Sequence, residues 1–273
     1  MPEIVDLEVM KMNMLRKLKS KKLETFDVRV EKVLQNAEKI DIKDSLEGEK
    51  LYGISRVSKI LSFEFSNGAK LVIHLMLHGN FCWKDVKKKD KNVVAEMQFE
   101  TGDTVQVKDW SAWMKIELDQ KEKNIVSKLL NADYGLDPLS EDFTLKKFEE
   151  IMSQKSRSGI KSILMDQKEI AGIGNAYADE SLFDAKIHPK AKAKSILESG
   201  RAGKLHDSIV KVIKSSIEIV EDLSGGVDIS EQERDFMKVY RKSGQKCPNC
   251  GYMISCMKVN GRDTFVCEKC QKM

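Results

Sequence analysis

Four cysteines form the clearest chemical pattern in the sequence, with the spacing Cys247-x2-Cys250-x16-Cys267-x2-Cys270. Two C-x2-C pairs at this separation are typical of a zinc ribbon, in which four thiolates surround one ion tetrahedrally. A redox C-x-x-C motif is the alternative, although it requires only one such pair. We therefore predict one structural Zn²⁺ held by these four residues, and we expect the other two cysteines to be ordinary buried thiols.

The segment between the two cysteine pairs predicts a β-hairpin. Asn260-Gly261 lies between alternating runs and favours a two-residue turn, because both central residues of that turn need a positive φ. Arg262 follows directly and is expected at the tip of a hairpin that the metal holds in place. A guanidinium at this position is either a solvated turn residue or a group that binds a phosphate through two parallel hydrogen bonds.

Two other short stretches combine residues that could do chemistry. The chain begins Met1-Pro2-Glu3, which places an imino acid beside a carboxylate, although this stretch alone reads most simply as the start of a helix. Further along, Gly172 and Gly174 interrupt a helical pattern just before Asn175, at about 1 kcal/mol each relative to alanine. Glycines before a helix let backbone N–H groups approach an anion, but a plain helix–turn–helix corner with Asn175 as N-cap explains the same pattern.

Composition indicates the class of protein but does not identify its binding partner. The 273 residues are 41% apolar and 33% charged, and the net charge is only +4. Residues 236–273 carry eight lysines and arginines against two acidic residues, and a second basic cluster spans 186–194. Such patches suit a polyanion, or else they are solvated faces. No apolar run is long enough to span a bilayer, and the N-terminus lacks the features of a secretory signal, so we expect an intracellular protein.

Hydrophobic periodicity divides the chain into two halves. It predicts a helix from Asp6 to about Lys19, followed by strands between about Glu24 and Leu118 that form an antiparallel sandwich or barrel. The turn-rich residues 131–142 are predicted to join this half to a helical half. A flexible link at 224–230 is expected to precede the zinc hairpin.

Several motifs together resemble the formamidopyrimidine-DNA glycosylase and endonuclease VIII family of base-excision repair enzymes. They are MPE with Glu8, SRVSKILSFEF, LVIHL, YGLDPLSEDF, residues 160–189, VYRKSG, and GRDTFVCEKCQ. The resemblance runs from end to end and implies an α+β protein. Its parts would be an N-terminal β-sandwich with flanking helices (1–130), a joint (131–142), a helix–two-turn–helix DNA-binding domain (143–230) and a zinc-finger β-hairpin (236–273).

The resemblance also implies a reaction, that of a bifunctional DNA glycosylase and abasic-site lyase acting on damaged double-stranded DNA. After removal of Met1, the nitrogen of Pro2 would attack C1′ of the damaged nucleoside and form a Schiff base, followed by β,δ-elimination. An α-amino group titrates near about pH 8, so a useful fraction is unprotonated at neutral pH. Glu3 would act as general acid and base.

Other roles carry over to single positions. Lys59 matches a lysine that contacts DNA near the lesion and donates a proton during β-elimination. Asn175 and Arg262 match residues that hold the phosphates flanking the extruded nucleotide, and Arg262 is also assigned to δ-elimination. Arg157 and Lys161 occupy positions where relatives bind the DNA backbone.

The sequence departs from the family pattern where relatives fill the space left by the extruded base. Leu77 takes the position of a methionine that fills this space. The segment DWSAWM, 109–114, replaces one that carries two arginines directed at the opposite strand. We predict that Trp113, or Trp110, wedges into the duplex, unless these rings belong to the core. Because the two arginines are absent, cleavage is expected to depend little on the opposite base, and single-stranded DNA is a further candidate substrate.

The length of the segment before the zinc hairpin bears on which lesion is removed. Residues 224–240 are shorter than the loop that closes over oxidised guanine in relatives, so we expect a preference for oxidised pyrimidines, ring-opened purines or hydantoins. The main alternative is a non-catalytic damage-binding or structural nucleic-acid-binding protein, which would need only basic groups. A third alternative, a zinc-ribbon transcription or ribosomal factor, would account for the cysteines but for none of the other motifs. We expect a monomer associated with the nucleoid.

Overall fold

The computed structural model describes residues 1–84 and 90–273. These residues form two compact units, one made of Met1–Ala132 with Val220–Gln232 and one made of Asp133–Ile219 with Glu233–Met273. Among the described residues, none of the helices combines the length and the apolar character needed to cross a bilayer.

The first unit is a β-sandwich with helices at its side. Its elements are α1 (Ile4–Leu18), β1 (Leu23–Val28), α2 (Lys39–Leu46), β2 (Leu51–Val57), β3 (Ile60–Phe65), β4 (Lys70–His74), β5 (Asn80–Trp83), β6 (Val93–Phe99), β7 (Thr104–Lys108) and β8 (Lys115–Asp119). The described strands pair antiparallel in two sheets, with the orders β1-β6-β7-β5 and β2-β3-β4-β8. The sequence pattern is compatible with either a sandwich or a barrel, and the structure shows a sandwich of these two sheets.

Apolar side chains from both sheets and from α1 fill one core. The ring of Phe63 from β3 meets that of Phe81 from β5 edge to face, with centroids 5.9 Å apart. On α1, Leu7, Met10 and Met14 are buried at helical spacing, as the sequence predicts. The sequence did not predict α2, which is short and buries only two apolar residues among its charged ones.

The second unit contains the helices and the zinc hairpin. Its elements are α3 (Leu145–Gln154), α4 (Ile160–Met165), α5 (Asn175–Asp184), α6 (Ala193–Glu198), most of α7 (Ala202–Leu223), β9 (Ser255–Val259) and β10 (Arg262–Val266). The predicted hairpin turn is present: Val259 pairs with Arg262, and Asn260 and Gly261 have φ angles of 49° and 75°.

The domain boundary differs from the one predicted from the sequence. Residues 220–232 group with the sandwich, whereas the sequence placed everything up to 230 in the helical domain. The cause is packing, because Ile229 is buried in the sandwich core. In addition, the Asn13 side chain donates hydrogen bonds to Ser224 Oγ (2.9 Å) and to the Asp228 carbonyl (2.6 Å).

Candidate active site and DNA-contacting residues

The N-terminal residues are held by the start of α1. Pro2 and Glu3 are buried, and Glu3 is the N-cap of the helix. The Glu3 carboxylate accepts the backbone N–H of Asp6, and Asp6 Oδ2 accepts the backbone N–H of Glu3 at 2.7 Å. This reciprocal capping box fixes the Glu3 carboxylate at the helix N-terminus, where the helix dipole favours a negative charge.

A buried ion pair connects α1 to the turn that carries Lys59. Arg56 Nε donates to Glu8 Oε1 at 2.6 Å, and Arg56 Nη1 donates to the carbonyl of Ser58 at 2.9 Å. Burial raises the pKa of Glu8, but the charges of Arg56 and Lys11 outweigh it and hold the pKa below its usual value. Lys59 itself is nearly buried.

Lys59 lies in a tight turn between two strands of the sandwich. It is the second residue of the two-residue turn between β2 and β3, in which Val57 pairs with Ile60 and Ser58 has a φ of 54°. Such a turn fixes the direction of its side chains more tightly than a longer loop would. The Arg56 hydrogen bond to Ser58 adds to this constraint.

His74 is the last residue of β4, and the charge of Lys59 affects its pKa. Burial lowers its pKa to about 4, and the positive charges of Lys59 and Lys115 act in the same direction. Its Nδ1 accepts the backbone N–H of Met76 at 2.9 Å, which places the ring proton of the neutral imidazole on Nε2. At neutral pH the ring is therefore an uncharged anchor for the residues that follow β4.

In the second unit, a hydrogen bond joins the start of α5, at Asn175, to β10, which begins at Arg262. Asn175 is the first residue of α5, with Gly174 as the N-cap, so the alternative in which Asn175 is the cap is wrong. Asn175 Nδ2 donates to the carbonyl of Asp263 at 2.8 Å, which ties α5 to β10 next to the exposed Arg262. The helix N-terminus and the guanidinium are both groups that favour an anion.

Lys161 is buried. Its side chain is therefore not placed to contact a DNA backbone, contrary to the expectation from the sequence. Its side chain is 1% exposed, and Nζ lies 2.6 Å from Asp179 Oδ1 and 2.7 Å from Thr264 Oγ1. Burial raises the pKa of Asp179 to about 7, against the opposing effects of Lys161 and of the Phe265 N–H. Lys161 therefore links α4, α5 and β10 from inside. Arg157, by contrast, is exposed in the turn after α3.

The four predicted zinc ligands converge. Their Sγ atoms all lie within 4.8 Å of one another, with 3.8 Å between Cys247 and Cys270 and 3.5 Å between Cys250 and Cys267. Tetrahedral bonds of about 2.3 Å to zinc require sulfur–sulfur distances of about 3.8 Å, so this donor set fits the ion. Cys256 is exposed and Cys82 half-buried, so the expectation that both are buried thiols is wrong.

The residues predicted to enter the duplex lie on the surface. Leu77, Trp110 and Trp113 are 45%, 68% and 56% exposed, so the reading of these tryptophans as core residues is wrong. The roles of Arg56 and Asp179 were not predicted from the sequence. A charged residue at an otherwise apolar position of a predicted strand or helix is the signal that could have found both.

Comparisons with known proteins match this arrangement along the whole chain. Residues 1–113 match the formamidopyrimidine-DNA glycosylase N-terminal domain, and residues 134–225 match its H2TH domain. Residues 244–272 match the zinc finger found in FPG and IleRS. A formamidopyrimidine-DNA glycosylase of Lactococcus lactis subsp. lactis (strain IL1403) is 31% identical over 284 residues, with all of both chains covered.

The chain belongs to the formamidopyrimidine-DNA glycosylase family. The family's protein from Mycoplasma pneumoniae is 29% identical, with 99% of each chain covered. Membership confirms the resemblance predicted from the motifs, and with the converging cysteines it confirms a zinc finger that binds one ion.

Solved structures of a family member carry DNA. The Lactococcus lactis protein bound to DNA with an abasic site has a TM-score of 0.86 at 28% identity, with 99% of this chain and 100% of that chain covered. The same protein with DNA containing an oxidised pyrimidine has a TM-score of 0.88 at 29% identity, with both chains fully covered. Its complex with DNA containing FAPY-dG has a TM-score of 0.87 at 29% identity. The predicted α+β fold class is confirmed.

Proposed function

We propose that this protein is a bifunctional DNA glycosylase and abasic-site lyase of base-excision repair. The observation that carries the proposal is the link that Arg56 makes between Glu8 of α1 and Ser58, beside Lys59. Because α1 begins directly after Glu3, the link joins the element bearing Pro2 and Glu3 to the turn bearing Lys59. A protein that only binds DNA has no need to hold a carboxylate and an amine at fixed positions.

The reaction begins at Pro2 once Met1 has been removed. The secondary amine attacks C1′, the bond from C1′ to the base breaks, and the base leaves with its electron pair and takes up a proton. Glu3 protonates the sugar ring oxygen as the ring opens, which gives an iminium between the Pro2 nitrogen and C1′. The capping box supports this role, since it keeps the carboxylate at one position next to the amine.

Strand cleavage follows from the iminium, which acidifies C2′. Loss of a C2′ proton expels the 3′ phosphate, a second elimination expels the 5′ phosphate, and water hydrolyses the iminium and releases the amine. Lys59 donates a proton during the first elimination. Asn175, Arg262 and the exposed Arg157 hold backbone phosphates, and Arg262 assists the second elimination.

We infer that the substrates are oxidised pyrimidines, ring-opened purines and hydantoins in preference to intact oxidised guanine. The first part of the 224–240 segment is tied to the sandwich: Trp83 Nε1 donates to the Val227 carbonyl at 2.8 Å, and the Glu231 N–H donates to Asn80 Oδ1 at 2.9 Å. A segment fixed in this way makes a poor lid for an extruded purine. The DNA complexes of the Lactococcus lactis relative with an oxidised pyrimidine and with FAPY-dG support these classes.

Single-turnover excision from duplexes carrying one lesion tests the proposal. The protein lacking Met1 is expected to leave a one-nucleoside gap with phosphate at both ends. Glu3→Gln is expected to abolish excision. The matched control is Glu38→Gln, because Glu38 is the N-cap of α2 in a capping box of the same type, and it is expected to keep full excision. With Arg262→Ala, a larger share of the DNA is expected to remain as the product of the first elimination, because the second elimination is slowed.

Two outcomes would overturn parts of the proposal. Tight binding to the damaged duplex without release of any base would favour the non-catalytic DNA-binding alternative. Fastest excision of oxidised guanine opposite cytosine would leave the chemistry in place but refute the substrate class.

A further inference from the structure

The basic segment 186–194 of the second unit takes no part in the sites described above. Its sequence, KIHPKAKAK, contains four lysines and one histidine but no acidic residue. All four lysines are exposed, whereas Ala191 and Ala193 between them are buried. The buried alanines hold the backbone against the domain, and the lysine side chains remain in solvent.

Backbone hydrogen bonds fix this segment near both of its ends. Near its start, the N–H of His188 donates to the carbonyl of Lys272 at 3.0 Å, and Lys272 is itself exposed. At its end, the N–H of Lys194 donates to the carbonyl of Ser156 at 3.0 Å, in the turn that carries the exposed Arg157. The segment therefore joins two other basic positions into one surface.

Two of the exposed lysines have a local explanation. Lys186 follows the C-terminal end of α5, where the helix dipole favours a cation. Lys194 Nζ lies 3.6 Å from Glu198 Oε1. We call the other three exposed lysines of this surface the lysine ridge: Lys190, Lys192 and Lys272. Among the residues that the structure describes, the ridge lysines form no ion pair.

The charge of the ridge indicates the chemistry of its ligand. Lysines grouped without acidic partners create a positive potential that attracts a polyanion. The histidine of the segment adds no charge at neutral pH: burial lowers the pKa of His188, and the charge of Lys190 lowers it further against the opposing charge of Glu268. The ridge also adjoins the turn of Arg157, to which the proposed function assigns a backbone phosphate. A nucleic acid backbone therefore fits the ridge better than an isolated anion does.

The ridge lies away from the phosphates that Asn175 is proposed to hold. Asn175 begins α5, whereas segment 186–194 follows the other end of this helix. The helix has 10 residues, and at about 1.5 Å per residue it spans about 15 Å. This length corresponds to about four or five base pairs of a duplex, which rises about 3.4 Å per base pair.

We propose that the lysine ridge binds backbone phosphates of the duplex that flanks the lesion, several base pairs beyond those held by Asn175 and Arg262. This inference rests on the proposed function and extends it. Phosphate contacts carry no sequence information, so the ridge strengthens binding to damaged and undamaged DNA alike. It also sets the length of duplex that full affinity requires on one side of the lesion.

Asymmetric duplexes test the reach of the ridge. The probes are duplexes of equal length with one tetrahydrofuran site, placed about three base pairs from the 5′ end or about three from the 3′ end of its strand. The unaltered protein is expected to bind one of them about tenfold more weakly than the other, because only one leaves the ridge without DNA. The ridge variant, Lys190→Ala/Lys192→Ala/Lys272→Ala, is expected to lose most of this difference.

The salt dependence of binding counts the phosphate contacts. For a duplex with a central tetrahydrofuran site, the ridge variant is expected to reduce the slope of log affinity against log salt concentration by about three, since each contacting lysine contributes about one. The matched control is Lys22→Ala/Lys50→Ala/Lys121→Ala, which removes the same charge from exposed lysines of the sandwich. The control is expected to change the slope by less than about one.

Three outcomes would overturn the inference: an unchanged difference between the two asymmetric duplexes in the ridge variant, an equal loss of slope in the control, or joining of two separate duplexes that only the ridge variant abolishes. The last outcome, measured by energy transfer between a labelled lesion duplex and a labelled undamaged one, would assign the ridge to a second DNA molecule. None of them bears on the proposed chemistry, which the excision assay on the unaltered protein decides separately. Conversely, failure of excision alongside a ridge-dependent slope would leave the ridge as a DNA-binding surface.

Discussion

The two units hold their functional groups in different ways. In the sandwich, Glu3 is fixed by Asp6, only three residues away, and Lys59 by a two-residue turn. In the second unit, Lys161 bonds to Thr264 across 103 residues and Asn175 to Asp263 across 88. Local constraints can be changed one at a time, whereas the second unit depends on the hairpin, the helices and the zinc ion together.

Loss of zinc is expected to have the largest effect. Structural zinc supplies roughly 10–16 kcal/mol of apparent binding free energy in small zinc domains, so Cys250→Ser or chelation is expected to disorder the hairpin that carries Arg262. DNA affinity, measured by titration with a labelled duplex, is expected to fall by well over tenfold. Cys256→Ser is the control, because this exposed thiol lies on the same hairpin outside the ligand set. Unchanged affinity after zinc loss would separate the finger from the DNA-binding surface.

Removing one partner of the buried Lys161–Asp179 ion pair is expected to have the second largest effect. Lys161→Met leaves the Asp179 carboxylate buried without its cation, which typically costs about 3–5 kcal/mol in the free energy of unfolding. Lys161→Met/Asp179→Asn is expected to recover much of that loss, as measured by denaturant unfolding and by DNA affinity. Lys258→Met, which removes an exposed ion pair with Asp263 on the hairpin, is the control and is expected to change stability little. An equal loss in both single variants would mean that the buried pair has no special role.

A smaller effect is expected from His74 and depends on pH. Its pKa in the folded protein is about 4, against 6.5 in the unfolded chain. As the pH falls below about 6.5, the unfolded chain takes up a proton that the folded protein refuses, so stability present above this pH is lost down to about pH 4. The full difference corresponds to about 3 kcal/mol. His74→Asn is expected to remove this part of the pH dependence of unfolding, and parallel curves for both proteins would contradict the assignment.

The smallest effect on stability is expected at the capping boxes of α1 and α2. Asp6→Ala and Asp41→Ala each remove the same kind of cap, from α1 and α2, at about 1 kcal/mol. Only Asp6→Ala is expected to slow base excision, because the Asp6 carboxylate holds the backbone N–H of Glu3, whereas the Asp41 carboxylate holds that of Glu38. Single-turnover rates at temperatures where both variants are folded provide the measurement. Equal rates in the two variants would show that the capping box does not position Glu3 for catalysis.

The extent to which the sequence predicted the structure follows the same division. The zinc ligands, the Asn260-Gly261 turn and the first helix were predictable because their signals are local. The buried state of Lys161 was not, because its partner Asp179 lies in another helix and nothing nearby marks the position as interior. The same reason explains the domain boundary, which is set by Ile229 reaching a distant core.

Trapping of the covalent intermediate decides whether Pro2 is the nucleophile. Borohydride reduction during incubation with a duplex containing an abasic site is expected to trap a covalent adduct that peptide mass spectrometry assigns to the nitrogen of Pro2. The matched control is the same protein with an uncleaved extension before Pro2, in which that nitrogen is an amide and cannot form an iminium. The extended protein is expected to give no adduct, and the adduct is expected to form again after the extension is cut off. An equally abundant adduct from the extended protein, or one that maps to a lysine, would show that Pro2 is not the nucleophile.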